Sequence, residues 1–221
     1  MPGRTWIIAA LAALCAGFAA APATAQAPDA SWTGPYGGVQ IGYGWAGLNI
    51  TENHYPQGNG NLEDLTYGLL VGVNLQIGER GLIGFEGDYA WTNMDGRIAG
   101  NTYGLDATAS LRARLGYLIL PGTLAYLTGG AAYSQFEYVG EVFVPPAVVV
   151  APPSVFIEDW VWGYILGLGL EQQVLDLLKV RIEYLYSDYP NWEFIGGSDA
   201  YDVESDLHQL RFGFVIPLGT P

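Results

Sequence analysis

Charged side chains recur at alternate positions within several apolar segments of this 221-residue sequence. Alternate residues of a β-strand point to the same face, so charges two positions apart would project together from one side of a strand. Four carboxylates and four guanidinium groups on such faces could build a ligand site, a gated pore or a charge-paired plug. The eight residues are Glu86, Asp88, Arg112, Arg114, Glu171, Arg181, Glu183 and Arg211.

The two histidines and two short polar motifs are the other places where chemistry could occur. Ligation of a metal ion or haem by His54 and His208 would need both side chains close together beside an open coordination position. The motifs Ser187-Asp188 and Asp206-x-His208 contain the residue types of a nucleophile and a base, but not at a spacing tied to a mechanism. We therefore expect no enzyme, no cofactor and no metal site.

The elements that would carry these residues are clearest at residues 105–136. Alternation places arginines on one face and a purely apolar set on the other, which is typical of a strand between lipid and a barrel lumen. A transmembrane helix is the alternative, but Pro121-Gly122 and Gly129-Gly130 break it and favour a hairpin. The residues predicted to face lipid are Leu105, Ala107, Ala109, Leu111, Ala113, Leu115 and Tyr117.

The same alternation predicts eight strands joined by long and short connections in turn. The longer connections fall at residues 49–66, 93–104, 137–159 and 189–206, and we expect them to be extracellular loops. This pattern predicts an all-β fold, an eight-stranded antiparallel transmembrane β-barrel with up-and-down topology. Eight strands leave an interior about wide enough for side chains, which favours the charge-paired plug over a small-solute channel.

The ends and the composition indicate an exported protein. Arg4, an apolar run at residues 6–21 and Ala23-Thr24-Ala25 predict a signal peptide over residues 1–25, with the barrel domain over residues 26–221. Cys15, the single cysteine, lies within that peptide, so no disulfide is expected. Acidic residues outnumber basic ones by 22 to 8, which argues against nucleic-acid binding. The partners expected instead are outer-membrane lipid and lipopolysaccharide.

The third long connection is apolar and rich in proline. Prolines at that density exclude a paired central strand, and exposed apolar side chains often mark an interaction site. We predict contact with another protein or with a second copy of the chain. The alternatives are that the segment folds over the barrel mouth or extends the adjoining hairpin. The contact residues would be Val142, Phe143, Val148, Val149, Val150 and Phe156.

Three segments resemble the outer-membrane immunogenic protein (surface-antigen) family of alpha-proteobacteria. They are WTGPYGG at residues 32–38 with GYGW at 42–45, RARLGY at 112–117 with LAYLTGGAAY at 124–133, and EYLY at 183–186. The resemblance implies a porin-like eight-stranded barrel related to the OmpA transmembrane domain. It also implies a structural or surface role, sometimes as a porin or hemin-binding protein, without catalytic residues.

The C-terminus departs from that family's pattern. Such proteins usually end on an aromatic residue that the insertion machinery reads, whereas this sequence continues past Phe214 to Pro221. Either Phe212 or Phe214 would then serve as an internal signal, or insertion of this chain would be less standard.

Overall fold

A computed structural model describes residues 32–52, 55–98, 101–141, 154–196 and 199–218. These residues form a closed antiparallel barrel in which each strand pairs with the next and β1 pairs with β8, so the predicted fold is confirmed. No helix among them is long and apolar enough to span a membrane. The strands are β1 (Gly34–Glu52), β2 (Tyr55–Ile77), β3 (Gly81–Ile98), β4 (Asn101–Leu120), β5 (Thr123–Glu141), β6 (Ser154–Leu175), β7 (Leu178–Gly196) and β8 (Asp199–Pro217).

We call the end of the barrel that carries the short turns, such as the one between β2 and β3, its lower end. Near this end every strand has the polarity of a membrane barrel. On β2, Leu69, Val71 and Val73 are exposed on the outer wall, whereas Asn74 is buried inside. Above this apolar wall, outward-facing aromatic side chains form a ring that we call the aromatic belt, and such belts mark the membrane interface. The belt consists of Trp45, Tyr67, Trp91, Tyr133, Trp162, Tyr164, Tyr186 and the stacked ring of His208.

The strands continue well beyond the belt, so three of the four predicted long loops are wrong. Strand pairing reaches Glu52↔Tyr55 at the first connection, Ile98↔Asn101 at the second and Gly196↔Asp199 at the fourth. At the third connection pairing reaches Glu141↔Ser154, and residues 142–153 lie outside the described part of the chain. The predicted signal peptide, residues 1–25, also lies outside it.

One irregularity in β4 corrects the predicted faces of the central hairpin. The ladders on both sides of β4 shift register between Leu105 and Ala107, which makes Asp106 a bulged residue. Leu105 therefore points inward and is fully buried, although uninterrupted alternation placed it on the lipid face. Ala107 is also buried, so neither residue meets lipid as predicted, whereas Leu111 does, being 67% exposed.

Above the belt the barrel wall opens along two seams. Pairing between β2 and β3 ends at Thr66↔Thr92, and pairing between β6 and β7 ends at Tyr164↔Asp188. All other neighbouring strands stay paired towards their upper ends. The upper part is therefore two four-stranded sheets, one from β3, β4, β5 and β6 and the other from β7, β8, β1 and β2.

These two sheets face each other across an apolar layer that we call the upper core. Both sheets contribute, and its members are nearly all less than 5% exposed. It resembles the filling of a soluble β-sandwich more than the lumen of a channel. Its residues are Ala46, Leu48, Ile50, Leu62, Met94, Ile98, Tyr103, Leu105, Ala132, Phe136, Tyr138, Val161, Ile165, Leu185, Tyr189, Val203 and Leu207.

Candidate functional site

Glu86, on β3, is the centre of a charged network inside the lower barrel. Its Oε1 accepts a hydrogen bond from Arg112 at 2.6 Å. Its Oε2 accepts from the Tyr36 hydroxyl at 2.8 Å and from Arg181 Nη1 at 2.7 Å. Arg114 adds a longer contact of 3.3 Å to the same oxygen. One carboxylate from β3 is thus linked to side chains of β1, β4 and β7.

A second carboxylate, Glu171 on β6, completes a bridge across the lumen. Arg114 Nη2 donates to Glu171 Oε2 at 3.1 Å, and Arg181 Nη2 donates to the same oxygen at 3.0 Å. Each of these arginines therefore binds Glu86 through one terminal nitrogen and Glu171 through the other. The forked guanidinium allows this arrangement, which a lysine could not reproduce.

The network continues upward through Asp88 and Arg211. Arg211 Nη1 lies 2.6 Å from Asp88 Oδ1, and the Ser110 hydroxyl donates to the other carboxylate oxygen of Asp88. Arg112 lies 3.1 Å from Asp88 and 3.1 Å from Glu183, so it joins the upper and lower parts. All eight charged residues singled out in the sequence therefore lie in one connected set inside the barrel.

Two tyrosines belong to this network although the sequence reasoning missed them. The Tyr36 hydroxyl accepts from Arg114 at 2.6 Å, and the Tyr126 hydroxyl donates to Glu183 at 2.9 Å. The Arg114 guanidinium carbon lies 3.9 Å from the centre of the Tyr126 ring. Alternation along the strand could have identified Tyr36, because Tyr36 and Gln40 are an even number of positions apart and therefore face the same, inward side of β1.

Glycines on the facing strands make room for both rings. A Cβ atom at Gly72 would overlap the Tyr36 ring, and one at Gly169 would overlap the Tyr126 ring. These glycines lie on inward-facing positions of β2 and β6. The high glycine content of the strands therefore serves, at these two positions, to admit the tyrosines that hold the arginines.

Burial makes the charge balance of the network decisive. The charged side chains in its ion pairs are at most 2% exposed, so water does not screen them. Within this connected set of ion pairs the four carboxylates and four guanidinium groups balance, and removing one partner of a buried pair typically costs about 3–5 kcal/mol. Side chains, rather than an open passage, occupy the space at this level.

Both ring nitrogens of His208 have polar partners in the structure. His208 Nδ1 lies 2.7 Å from the Tyr184 hydroxyl, and Nε2 lies 3.1 Å from Asp206 Oδ2. The imidazole stacks on Trp45 at 5.5 Å between ring centres. It lies on the outer wall in the middle of β8 and not at the start of a strand as predicted, while His54 lies outside the described residues.

The side chains of Ser187-Asp188 point apart, whereas those of Asp206-x-His208 are in contact. Ser187 is buried inside the barrel, whereas Asp188 faces outward and accepts from Tyr186, so this pair does not act together. Asp206 and His208 are in contact, and the other partner of the imidazole is the Tyr184 hydroxyl and not a serine. Among the residues that the structure describes, no group of three or more His, Cys, Asp or Glu side chains is arranged to hold a metal ion.

The predicted contact residues of the third connection divide between two parts of the chain. Val142, Phe143, Val148, Val149 and Val150 lie outside the described residues. Phe156 was predicted to lie in a loop, but its backbone belongs to β6 and pairs with Val139 of β5. The hairpin of β5 and β6 therefore extends further than predicted. This agrees with the alternative in which the third connection lengthens the adjoining hairpin.

The outer surface above the belt is strongly acidic. Glu137 on β5 lies directly opposite Glu158 on β6, and Asp106 is close to both. Partial burial raises the pKa of the Glu137 carboxyl, and the negative charges of Asp106 and Glu158 raise it further. Like charges facing each other across two strands are destabilising.

Comparison with known proteins agrees with this architecture. The family model for the outer membrane protein beta-barrel domain matches residues 10–215. The 25 kDa outer-membrane immunogenic protein of Brucella melitensis biotype 1 is 32% identical over 189 residues, covering 85% of this chain and 79% of that protein. The 31 kDa outer-membrane immunogenic protein of the same organism is 26% identical over 215 residues, covering 88% of this chain and 84% of that protein.

A solved structure supports the fold alone. The outer membrane protein OprG of Pseudomonas aeruginosa has a TM-score of 0.50 and 12% identity, covering 84% of this chain and 97% of OprG. The family match spans nearly all of the described strands, and the Brucella relative exceeds 30% identity over most of its length. The chain therefore belongs to the outer-membrane β-barrel family that includes the Brucella immunogenic proteins, and it is a protein of the outer membrane.

Proposed function

We propose that this protein is a non-conducting surface barrel, whose lower half anchors it in the outer membrane and whose upper half displays an acidic surface. The observation that supports this proposal is the network around Glu86 and Glu171, in which arginines span the lumen from β4 and β7. Any ion entering the barrel would have to separate these buried pairs. The upper core then places an apolar layer across the same path.

The rival function is a small-solute channel, and solute flux distinguishes the two. Purified protein in liposomes would be exposed to an osmotic gradient of a small sugar, with an open porin at equal protein density as the positive control. The filled lumen predicts swelling no faster than in empty liposomes. Swelling at a rate near that of the porin would establish the channel and overturn the proposal.

The third connection is proposed to contact a partner protein or a second copy of this chain. Its support is the sequence of residues 142–151, in which Val142 and Phe143 precede Pro145-Pro146. Val148, Val149 and Val150 lie between that pair and Pro152. The strands on either side are paired up to Glu141↔Ser154, so the segment begins at the outermost end of that hairpin. Apolar side chains displayed there would be covered by docking.

Self-association can be measured on the purified protein and on a matched pair of variants. Replacing Val148, Val149 and Val150 with serine should abolish association in analytical ultracentrifugation in mild detergent, while the barrel remains folded. Replacing Ala147 and Ala151 with serine is the control, because it alters the same segment with little loss of apolar area. A wild-type protein that sediments as a monomer, and that is recovered alone from its native membrane, would contradict this part of the proposal.

A further inference from the structure

Trp32 lies inside the barrel at the end that carries the short turns. It immediately precedes β1, and it is only 2% exposed. It packs with inward-facing apolar side chains of β3, β4 and β5, namely Leu82, Leu118, Leu124 and Tyr126. The described tryptophans of the aromatic belt behave differently, since Trp91 and Trp162 are 39% and 63% exposed on the outer wall.

A cation also contacts the indole. Lys179 projects inward from the start of β7, and its Nζ lies 3.8 Å from the centre of the Trp32 ring. An ammonium group at this distance from the face of a tryptophan is attracted by the ring, and most strongly where water is excluded. Lys179 is 9% exposed, so the contact is largely shielded.

The backbone around Trp32 is also tied to the barrel wall. The backbone N–H of Gln76 on β2 donates a hydrogen bond to Oγ1 of the neighbouring Thr33, with 3.0 Å between nitrogen and oxygen. The indole is therefore held by an apolar layer, by a lysine and by an anchored backbone. Short turns lie on the periplasmic side of outer-membrane barrels, which places this arrangement at the periplasmic mouth.

We propose that Trp32 is a stopper that closes the periplasmic mouth of the lumen, with Lys179 holding the indole in position. Without the indole, the space between Leu124 and the charged network would be open to periplasmic water. The stopper lies below the network, so its closure does not depend on whether the ion pairs around Glu86 block ions. It would give the lumen a seal at its lower end, as the upper core does at its upper end.

Thiol accessibility in the full-length chain tests this proposal. In a Cys15→Ala background, Leu124→Cys reports the space just inside the stopper and Leu207→Cys reports the upper core. A charged, membrane-impermeant maleimide should label Leu124→Cys slowly when Trp32 is present. Trp32→Ala should accelerate that labelling by roughly an order of magnitude or more, because the thiol then meets solvent without local unfolding.

Matched variants separate the stopper from a general loosening of the barrel. Trp162→Ala removes a tryptophan from the outer wall and should leave labelling of Leu124→Cys slow. Lys179→Met should give an intermediate rate, and Lys179→Arg should restore protection because it keeps the cation over the ring. Leu207→Cys should stay protected in every variant; its labelling would count against the filled lumen of the proposed function and not against the stopper.

Two results would overturn the proposal. One is fast labelling of Leu124→Cys while Trp32 is present, and the other is equally slow labelling after Trp32 is removed. Folding of each variant is verified by faster electrophoretic migration without boiling. If Trp32→Ala does not fold, Trp32→Leu serves in its place, since it removes most of the ring while keeping an apolar side chain.

Discussion

The two halves of this barrel have opposite polarity although the same strands build both. Below the aromatic belt, β3 turns Ile83 and Phe85 outward and Glu86 inward. Above the belt, the same strand turns Met94 and Ile98 inward, and its outward positions carry charge. The inward and outward parity of β3 does not change along its length. What changes is the medium outside the wall, which is lipid below and water above.

The other strands of the barrel repeat this reversal. On β8, Phe214 is exposed to lipid and Arg211 is buried in the lower half, whereas Val203 and Leu207 are buried in the upper half. A charged interior is stable in the lower half because each buried carboxylate there is paired with at least one guanidinium group. The upper half follows the ordinary rule for a protein in water and buries its apolar face. An apolar outer face and a polar inner face are therefore found only where lipid surrounds the barrel wall.

The largest expected effect comes from breaking the balance of the lower half. Arg112→Ala leaves Glu86, Asp88 and Glu183 without a shared partner, and the expected loss of stability is about 3–5 kcal/mol. Thermal and urea unfolding, followed by the gel shift between folded and boiled protein, would measure it. Arg114→Ala should act in the same direction, because it leaves Glu171 with fewer partners.

The control for both variants is Arg97→Ala, which removes an exposed arginine above the belt. It should change the midpoint of unfolding very little, since exposed ion pairs contribute about 0–1 kcal/mol. Equal midpoints for Arg112→Ala, Arg114→Ala and the wild type would contradict the charge-paired plug.

A smaller and more local effect is expected in the upper half. Leu105→Ala would leave a void between the two sheets, and filled apolar sites of this kind typically lose about 2–5 kcal/mol. The ladders between β2 and β3 and between β6 and β7 already end at the belt, so the upper sheets should loosen before the lower barrel unfolds. Amide exchange and limited proteolysis would detect faster opening confined to residues above the belt.

Leu111→Ala provides the matched control, because Leu111 lies on the same strand but faces lipid. It should leave amide exchange in the upper sheets unchanged. If Leu105→Ala accelerates exchange equally in both halves, the two regions unfold as one unit and their separation at the seams is wrong.

The smallest effect concerns the repulsion between Glu137 and Glu158 on the outer surface. The raised pKa of Glu137 means that the folded state favours its protonated form. The resulting penalty is absent below the ordinary glutamate pKa and appears as the pH rises through the raised value. Glu137→Gln should therefore stabilise the protein slightly near neutral pH and not at pH 3.

Unfolding midpoints across that pH range would measure this difference. Glu204→Gln, at an exposed position of β8, is a suitable comparison. A stabilisation by Glu137→Gln that is as large at pH 3 as at pH 7 would exclude charge repulsion as its cause.

The sequence predicted the lower half of the structure well because period-two alternation is strong where lipid meets the wall. It placed all eight strands, and it assigned inward faces to residues such as Arg181 and Gln209 that the structure buries. It also gathered the eight charged residues on inward faces. It could not predict which carboxylate each arginine binds, because that pairing depends on strand register across residues far apart in the chain.

The upper half could not be predicted from the same pattern for two physical reasons. Above the belt the apolar side chains move to the inside, so segments such as residues 93–104 look like polar loops when apolar residues are expected outside. The bulge at Asp106 then reverses the parity of β4, which turned Leu105 from a predicted lipid contact into a buried residue. Trp32 lies ahead of the first strand, and alternation carries no information about it.

Conductance of the purified wild-type protein in planar lipid bilayers measures whether the lumen is filled. A filled lumen predicts a baseline indistinguishable from that of the lipid alone at both low and high salt, because buried ion pairs and the upper core fill the barrel. An open porin inserted under the same conditions is the positive control. Stable steps of uniform size that grow with salt concentration would contradict the filled lumen and would establish a channel instead.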